Sequence, residues 1–217
     1  MADEELTGED ALRRIEAKRG YRLSYHRMLA AADPALLLAY DEFYERLTLR
    51  SRTLTPAARE IVWTALQAAT REAQGTIHLK RAEAAGVSRA LIADAVAIAA
   101  AVETWPALVG FGAGPWADWI PEADALTRYA AMVDAARGGI DPATAEIAAV
   151  VCHGARRTLR GLKLHLPRAF AAGATRDAIA EGLSYILLPA GGPTLIEAVE
   201  AWAEAAEAGI CPSPYAD

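Results

Sequence analysis

The chain has 217 residues, 53% of them hydrophobic and 23% charged, a composition typical of a globular protein with a sizeable core. Its net charge of -6, its pI near 5.3 and the lack of any basic run exclude a general attraction to nucleic acid or anionic lipid. The acidic start, "MADEELTGED", is not a signal peptide, and no uninterrupted apolar run is long enough to predict a membrane helix. We therefore expect a cytoplasmic protein that binds neither nucleic acid nor membrane.

Helices are predicted one after another, because strand patterns are nearly absent and Ala, Leu, Arg and Glu dominate. The first helix should begin at a cap formed by Thr7 and Asp10 and end near Gly20. A capping oxygen followed by proline predicts further helix starts at Asp33-Pro34, Thr55-Pro56 and Asp141-Pro142.

Two glycines are each followed two residues later by a hydroxyl residue: Gly86 by Ser88, and Gly173 by Thr175. This spacing predicts a tight corner, in which one helix stops on a left-handed glycine and the next starts on a hydroxyl cap. By contrast, the Gly-, Pro- and Trp-rich stretch 104–124 is expected to be an irregular connection.

The sequence also contains an internal repeat. "HLKRAEAAGVSR" begins at His78 and "HLPRAFAAGATR" at His165, with eight of twelve positions identical. A shift of 86 residues further superimposes Pro56, Glu60, Arg71 and Gly75 on Pro142, Glu146, Arg157 and Gly161. We therefore predict an all-α fold made of a tandem duplicated helical repeat.

The predicted organisation follows from this repeat. Each copy holds three helices, near 56–71, 75–85 and 88–103 in the first and near 142–157, 160–172 and 175–188 in the second. The predicted divisions are an N-terminal helical arm (1–53), the first repeat (54–108), a connection with a helix (109–139), the second repeat (140–208) and an extended or disordered tail (209–217).

Three side chains that can carry chemistry fall on one predicted helical stripe in the second copy: Glu146, His153 and Arg157. The first-copy stripe has Glu60, Gln67 and Arg71, so only the second pairs the carboxylate with an imidazole. The alternative interpretation is a solvated helix face.

The repeated histidines, His78 and His165, have a structural alternative as well, because either imidazole can satisfy a hydrogen bond in the core. No H-x-x-x-H or H-x-x-E pattern predicts a metal site, and no metal is expected. The two cysteines, Cys152 and Cys211, form no C-x-x-C and are expected to be buried thiols.

The pattern of a Thr-Pro start, a glutamate, then a histidine followed by "A-x-x-A-G" and a hydroxyl residue, present twice, resembles the carboxymuconolactone decarboxylase and alkylhydroperoxidase D-like family. The resemblance implies an all-helical protein that self-associates into rings, such as trimers of two-repeat chains.

The family's peroxidase branch has a C-x-x-C just before the histidine, with the glutamate and histidine as a proton relay. The corresponding positions here are Thr158 and Gly161 in the second copy, and Arg71 and Gln74 in the first. Thiol peroxidase chemistry is therefore excluded at the usual place, and Cys152 is the only thiol that can substitute.

The decarboxylase branch remains, which implies cofactor-free acid/base chemistry on a small organic acid or lactone. In that interpretation His165 is the acid, Glu146 orients it or relays protons, and His153 completes the catalytic group. Substrate-binding residues are then Arg157 and Arg160. The first-copy counterparts are His78, Glu60 and Arg71.

The decarboxylase pattern usually has a glutamate where this chain has "LRGLKLH", so a related lyase, isomerase, hydratase or cyclase step on an enolisable ketone is an alternative. Another is a catalytically silent member that binds a ligand or acts as a scaffold. The tryptophans Trp63, Trp105, Trp116 and Trp119 are expected either to wall a pocket or to pack between subunits.

Overall fold

The computed structural model describes residues 6–112 and 115–215, and the regular secondary structure of this part of the chain is entirely helical. This confirms the predicted all-α class. The chain divides into two compact units, one up to Arg50 and one from Ser51 onwards.

The first unit contains three helices and a short π-helical turn: α1 (Gly8–Arg19), α2 (Ser24–Ala32), α3 (Pro34–Tyr44) and the turn Glu45–Leu49. Its small core consists of Ala11, Ile15, Ala30 and Leu37. The predicted starts and stops are confirmed: Thr7 and Asp10 form a reciprocal capping box, α1 ends on the left-handed Gly20, and Asp33 caps α3.

The second unit contains the remaining helices: α4 (Pro56–Thr70), α5 (Thr76–Ala84), α6 (Arg89–Glu103), α7 (Trp105–Gly112), α8 (Glu122–Ala136), α9 (Pro142–Ala155), α10 (Leu159–Ala171), α11 (Arg176–Ser184) and α12 (Gly192–Glu207). A 3-10 turn, Tyr185–Leu187, continues α11. The corresponding first helices of the two repeats, α4 and α9, pack against each other at its centre.

Helix α9 is the most enclosed element of the second unit. Every residue from Thr144 to Gly154 is buried, including the polar side chains of Glu146 and His153. A helix that is apolar on nearly all sides belongs in a core, and polar groups buried within it need partners from neighbouring helices. The solvated-face interpretation of the Glu146 stripe is therefore wrong.

The helix corners are confirmed in both repeats. Gly86 and Gly173 have positive φ angles of 80° and 92°, and the side chains of Ser88 and Thr175 cap the helices that follow. Thr55 and Asp141 likewise cap α4 and α9, each with proline in the first turn.

Two predictions need correction. The stretch 104–124 is not wholly irregular, because Trp105–Gly112 is helical. The first helix of the second copy ends at Ala155 rather than near 157, because Arg157 adopts a left-handed φ of 57°, as Arg71 does with a φ of 58° at the end of α4. The helical stripe therefore does not extend to Arg157.

One helical stretch, Arg89–Phe111, is long and apolar enough to cross a membrane by length and composition. The first helix of this stretch, α6, packs against α4, α8 and α9 and buries Ile98 and Val102. A core helix of a soluble protein meets the same criteria of length and composition. The cytoplasmic location stays a prediction.

The tail is non-helical as far as it is described, and it is held in place. The carbonyl of Pro212 accepts a hydrogen bond of 2.8 Å from the indole Nε1 of Trp202.

Candidate functional site

A buried glutamate–histidine pair lies at the centre of the second repeat. Oε2 of Glu146, on α9, is 2.7 Å from Nδ1 of His165, on α10. The other carboxylate oxygen, Oε1, accepts a hydrogen bond of 2.8 Å from Nε of Arg168, one turn after His165. Arg168 also forms an ion pair with Asp134 on α8. Helix α10 thus supplies two of the carboxylate's partners from one face, at the i, i+3 spacing.

Tyr129, on α8, joins this pair to the second histidine of the stripe. Its hydroxyl is 3.1 Å from Nε2 of His165 and 2.6 Å from Nε2 of His153. The two imidazole rings stack with their centroids 5.2 Å apart, and all three side chains are fully buried. Trp105 closes the cluster with edge-to-face contacts to Tyr129 and His153.

The chain of polar contacts continues towards the surface. Nδ1 of His153 is 2.6 Å from Oγ1 of Thr158, a half-buried residue at the start of α10. Gly161, one turn further along α10, leaves room for the imidazole, because a Cβ there would lie 2.1 Å from Cε1 of His153. The contiguous path runs through Glu146, His165, Tyr129, His153 and Thr158, and we call it the second-repeat relay.

The electrostatics fix which members of the relay are charged. Burial raises the pKa of Glu146, but hydrogen bonds from His165 and Arg168 outweigh it and hold this pKa below its ordinary value. Burial, and secondarily the neighbouring His165, hold the pKa of His153 well below its usual range. Burial also raises the pKa of the Tyr129 phenol. The relay therefore has an anionic end at Glu146 and neutral groups at Tyr129 and His153.

This arrangement can conduct a proton. When His165 is an imidazolium, its Nδ1–H donates to Glu146 and its Nε2–H to the Tyr129 oxygen. The hydroxyl of Tyr129 then donates to His153, and Nδ1–H of His153 donates to Thr158. Moving each proton one step releases a proton at Thr158 and leaves His165 neutral, with Glu146 and His153 unchanged in charge.

The two arginines predicted to bind substrate lie outside the relay. Arg157 forms an ion pair with Glu197 on α12, with its Nε 2.7 Å from Oε2, and Arg160 forms one with Glu122 on α8. Both side chains are more than half exposed. The arginine that contacts Glu146 is Arg168. The substrate-binding role of Arg157 and Arg160 stays a prediction, as do the catalytic roles of the other predicted residues.

The first repeat has the same pair with different surroundings. Oε2 of Glu60 lies 2.8 Å from Nδ1 of His78, and Nε of Arg59 donates to Oε1 at 2.9 Å. In place of a tyrosine, the indole of Trp63 stacks on His78 at 4.5 Å. The position of His153 is occupied by Gln67, so the first repeat has no counterpart of the histidine–tyrosine–histidine path.

Trp63 continues the aromatic stack to Tyr185, whose hydroxyl donates to Glu181 at 2.7 Å. Glu181 also accepts hydrogen bonds from the backbone N–H groups of Thr53 and Leu54. Trp63 and Trp105 are thus buried beside the two histidine sites, whereas Trp116 and Trp119 are exposed.

The described part of the second unit includes the following cavities. One, of about 370 Å³, lies on the first repeat between α4, α5 and α6. The other, of about 580 Å³, lies between the two repeats, where α4, α9 and α11 begin. Neither has Glu146, His153 or His165 in its lining. The side chains of Glu146, His165, Tyr129 and His153 are buried, so the relay approaches the surface at the half-buried Thr158.

The candidate replacement for a peroxidase cysteine, the thiol of Cys152, is unsuited to nucleophilic attack. Cys152 is fully buried, and burial raises the pKa of its thiol, whereas a nucleophilic cysteine needs a lowered pKa and access. Within residues 6–112 and 115–215, no group of three or more His, Cys, Asp or Glu side chains is arranged to hold a metal ion.

Sequence reasoning missed Tyr129 and Thr158 as members of the relay and Arg168 as a partner of Glu146. Arg168 had a signal, because Arg81 stands at the same position three residues after the other repeated histidine. Tyr129 had none, since it lies between the repeats on a helix whose packing the sequence does not reveal.

The model of the carboxymuconolactone decarboxylase family matches the chain twice, over residues 34–113 and 121–204. Neither curated proteins nor solved structures gave a match.

Proposed function

The chain belongs to the carboxymuconolactone decarboxylase family, and from this premise we propose that it is an enzyme of cofactor-free acid/base catalysis. Its substrate is a small organic acid, a lactone or an enolisable ketone. The observation that carries the proposal is the second-repeat relay, a hydrogen-bonded path from the buried Glu146 to the half-buried Thr158.

In the proposed reaction His165 is the acid. A substrate carboxylate leaves as CO₂, its bonding electrons form an enolate, and the enolate carbon takes up one proton. The carbon takes the hydroxyl proton of Thr158, which is replaced in turn from His153, Tyr129 and His165, so that the His165 imidazolium gives up one proton and becomes neutral. Glu146 stabilises the imidazolium before transfer, and Arg168 keeps Glu146 ionised. An isomerase or hydratase step on an enolisable substrate uses the same proton delivery.

The substrate is proposed to approach at Thr158, where α10 begins. The N-terminus of a helix favours an anion, and Arg157 and Arg160 flank Thr158 in the sequence. Both arginines would have to exchange their ion pairs with Glu197 and Glu122 for the substrate. These pairs are solvent-exposed, and exposed ion pairs are weak, typically about 0–1 kcal/mol.

The test uses carboxymuconolactone, the compound named in the family's description, and then a panel of small keto acids and lactones in D₂O. CO₂ release and deuterium incorporation at carbon, measured by NMR, report decarboxylation and enolisation separately. His165→Gln should slow turnover about 100-fold or more, the typical contribution of a positioned general acid. His78→Gln is the matched control in the first repeat and should change the rate only a few-fold.

A second variant tests the path rather than the acid. Tyr129→Phe removes the hydroxyl that bridges the two imidazoles and should slow turnover strongly. Tyr185→Phe, which removes an equally buried hydroxyl beside the first repeat, should not. Equal rates for wild type and Tyr129→Phe would contradict delivery along the relay, and full turnover by His165→Gln would overturn the acid assignment.

A catalytically silent member is the second candidate, and one observation favours it. Tyr129 fills the space between the two histidines, and all three groups are fully buried, as in a polar core with a structural role. Binding of panel compounds without CO₂ release or deuterium incorporation would support this candidate over the enzyme.

A further inference from the structure

The two repeats differ in what covers the same helical face. In the second repeat α12 packs against α9 and α10. Gly154 of α9 is so close to α12 that an added Cβ would lie 3.2 Å from Cβ of Ala198, and Leu166 and Leu183 beside it are fully buried. This face of the second repeat is therefore filled by the chain's own last helix.

In the first repeat the corresponding face is open. The helix that follows α6 is α7, the repeat counterpart of α12, and it packs mainly against α8. The counterparts of Leu166 and Leu183 are Leu79 and Val96, and these are 38% and 45% exposed. The resulting cavity of about 370 Å³ has the size of a small-ligand site and is walled mainly by apolar groups.

Two polar groups give this cavity a chemical preference. Gln67, which is only 9% exposed, lines it. Its Nε2 donates to Glu72 and to the carbonyl of Gly75, which fixes the amide orientation. Its Oε1 has no hydrogen-bond partner within the described part of the chain, so a ligand O–H or N–H donor matches it.

The other polar group is Arg71, which also lines the cavity and has a side chain 73% exposed. It lies 3.5 Å from Glu103, which Arg156 also binds, at 2.7 Å. The remaining N–H groups of Arg71 are available to a ligand carboxylate. Glu72 also lines the cavity, and its carboxylate accepts hydrogen bonds from Nε2 of Gln67 and from the backbone N–H of Gly75.

We propose that the first repeat is a small-molecule binding site that takes a hydroxylated organic acid. The apolar body of the ligand fills the space between Leu79 and Val96, its hydroxyl donates to Oε1 of Gln67, and its carboxylate binds Arg71. This site goes beyond the proposed function, because it is separate from the second-repeat relay and binding there needs no turnover.

The probes are 4-hydroxycyclohexanecarboxylate, which has both polar groups, and cyclohexanecarboxylate and cyclohexanol, which have one each. Affinities come from isothermal titration calorimetry, with saturation-transfer NMR for the weaker probes. The hydroxy acid should bind tightest. Arg71→Gln should weaken both carboxylates about tenfold, as loss of a charge-assisted hydrogen bond does, and leave cyclohexanol unchanged.

Val96→Trp fills the open face, as α12 fills the second one, and should abolish binding of all three probes. Ile196→Trp, at an exposed position on α12 outside the cavity, is the matched control and should bind as wild type. His165→Gln should also bind the three probes as wild type does, because His165 is not in the lining of this cavity. Binding to the first repeat can therefore be tested even if the catalytic proposal fails.

The proposal is overturned if the hydroxy acid shows no binding at millimolar concentration. It is equally overturned if Val96→Trp binds as wild type, or if Ile196→Trp loses binding to the same extent. Circular dichroism of each variant establishes that it is folded before its affinity is compared.

Discussion

At the scale of single residues, the second-repeat relay depends on one imidazole that stays neutral. His153 is fully buried between Tyr129 and Thr158, with the imidazole of His165 stacked against it. A positive charge on His153 would face the imidazole of His165 without a carboxylate of its own. Its neutrality follows from this placement and has a measurable effect on stability.

The first prediction is that His153 makes the protein less stable at mildly acid pH. Its pKa in the folded state lies well below the ordinary value, chiefly through burial, so the unfolded chain binds more protons below about pH 6.5. The contribution of neutral His153 to the free energy of unfolding is fully present above that pH, and it is lost as the pH falls towards the folded-state pKa. Urea unfolding of wild type between pH 7 and 5 should show this loss.

His153→Gln, which installs the residue found at the first-repeat position, should remove this contribution. The unfolding free energy of the variant should depend less on pH, by up to about 1.4 kcal/mol per pH unit, the value for one proton. Above pH 7.5 the difference in unfolding free energy between wild type and His153→Gln should be constant. Parallel curves from pH 7 to 5 would show that His153 binds a proton as readily in the folded protein as in the unfolded chain, which would contradict this prediction.

The pairing of Glu146 with His165 was predictable from sequence, because a glutamate is followed by a histidine at nearly the same spacing in both repeats, 18 residues in the first and 19 in the second. The bridge through Tyr129 was not, since it joins three helices and depends on how α8 packs. The placement of Arg157 was predicted wrongly for a local reason. A left-handed residue ended α9 early and turned that side chain towards Glu197.

At the scale of elements, helix starts and corners were predictable because each depends on a few neighbouring residues. The paired glycines show this best: Gly86 and Gly173 both adopt positive φ, as the repeated "AAG" followed by a hydroxyl residue predicted. Helix α7 was missed because its Trp, Pro and Gly residues are also typical of loops. Packing against α8, which sequence alone does not reveal, keeps it helical.

The second prediction is that Gly173→Ala and Gly86→Ala each destabilise the protein by about 1–2 kcal/mol, the cost of a left-handed conformation for an L-residue. At both positions an added Cβ would meet no atom within 4 Å, so the cost is purely conformational. Gly192→Ala is the control, because its Cβ would also meet nothing and its φ is not in the positive range. Thermal and urea unfolding give the differences, and equal effects at all three positions would contradict this account.

At the scale of the whole molecule, the exposed aromatic residues after α6 are the strongest feature that a single chain leaves unexplained. Phe111 and Trp116 form an edge-to-face pair with ring centroids 5.6 Å apart, and Trp119 is 83% exposed. Large aromatic side chains are enriched at the centres of protein interfaces, where they contribute much of the binding energy. We infer that this group packs against another subunit.

The third prediction is therefore that the protein self-associates, as a trimer or larger ring, at micromolar concentration. Sedimentation velocity of wild type should show a single species several times the monomer mass of 23.0 kDa.

Trp119→Ser removes a large anchor without touching the relay, and truncating such an anchor typically costs about 2 kcal/mol or more of association energy. The variant should shift towards smaller species as it is diluted, whereas Met28→Ser, an exposed apolar residue of the first unit, should sediment as wild type. A wild-type monomer at micromolar concentration would contradict self-association, and an unchanged Trp119→Ser would place the interface elsewhere.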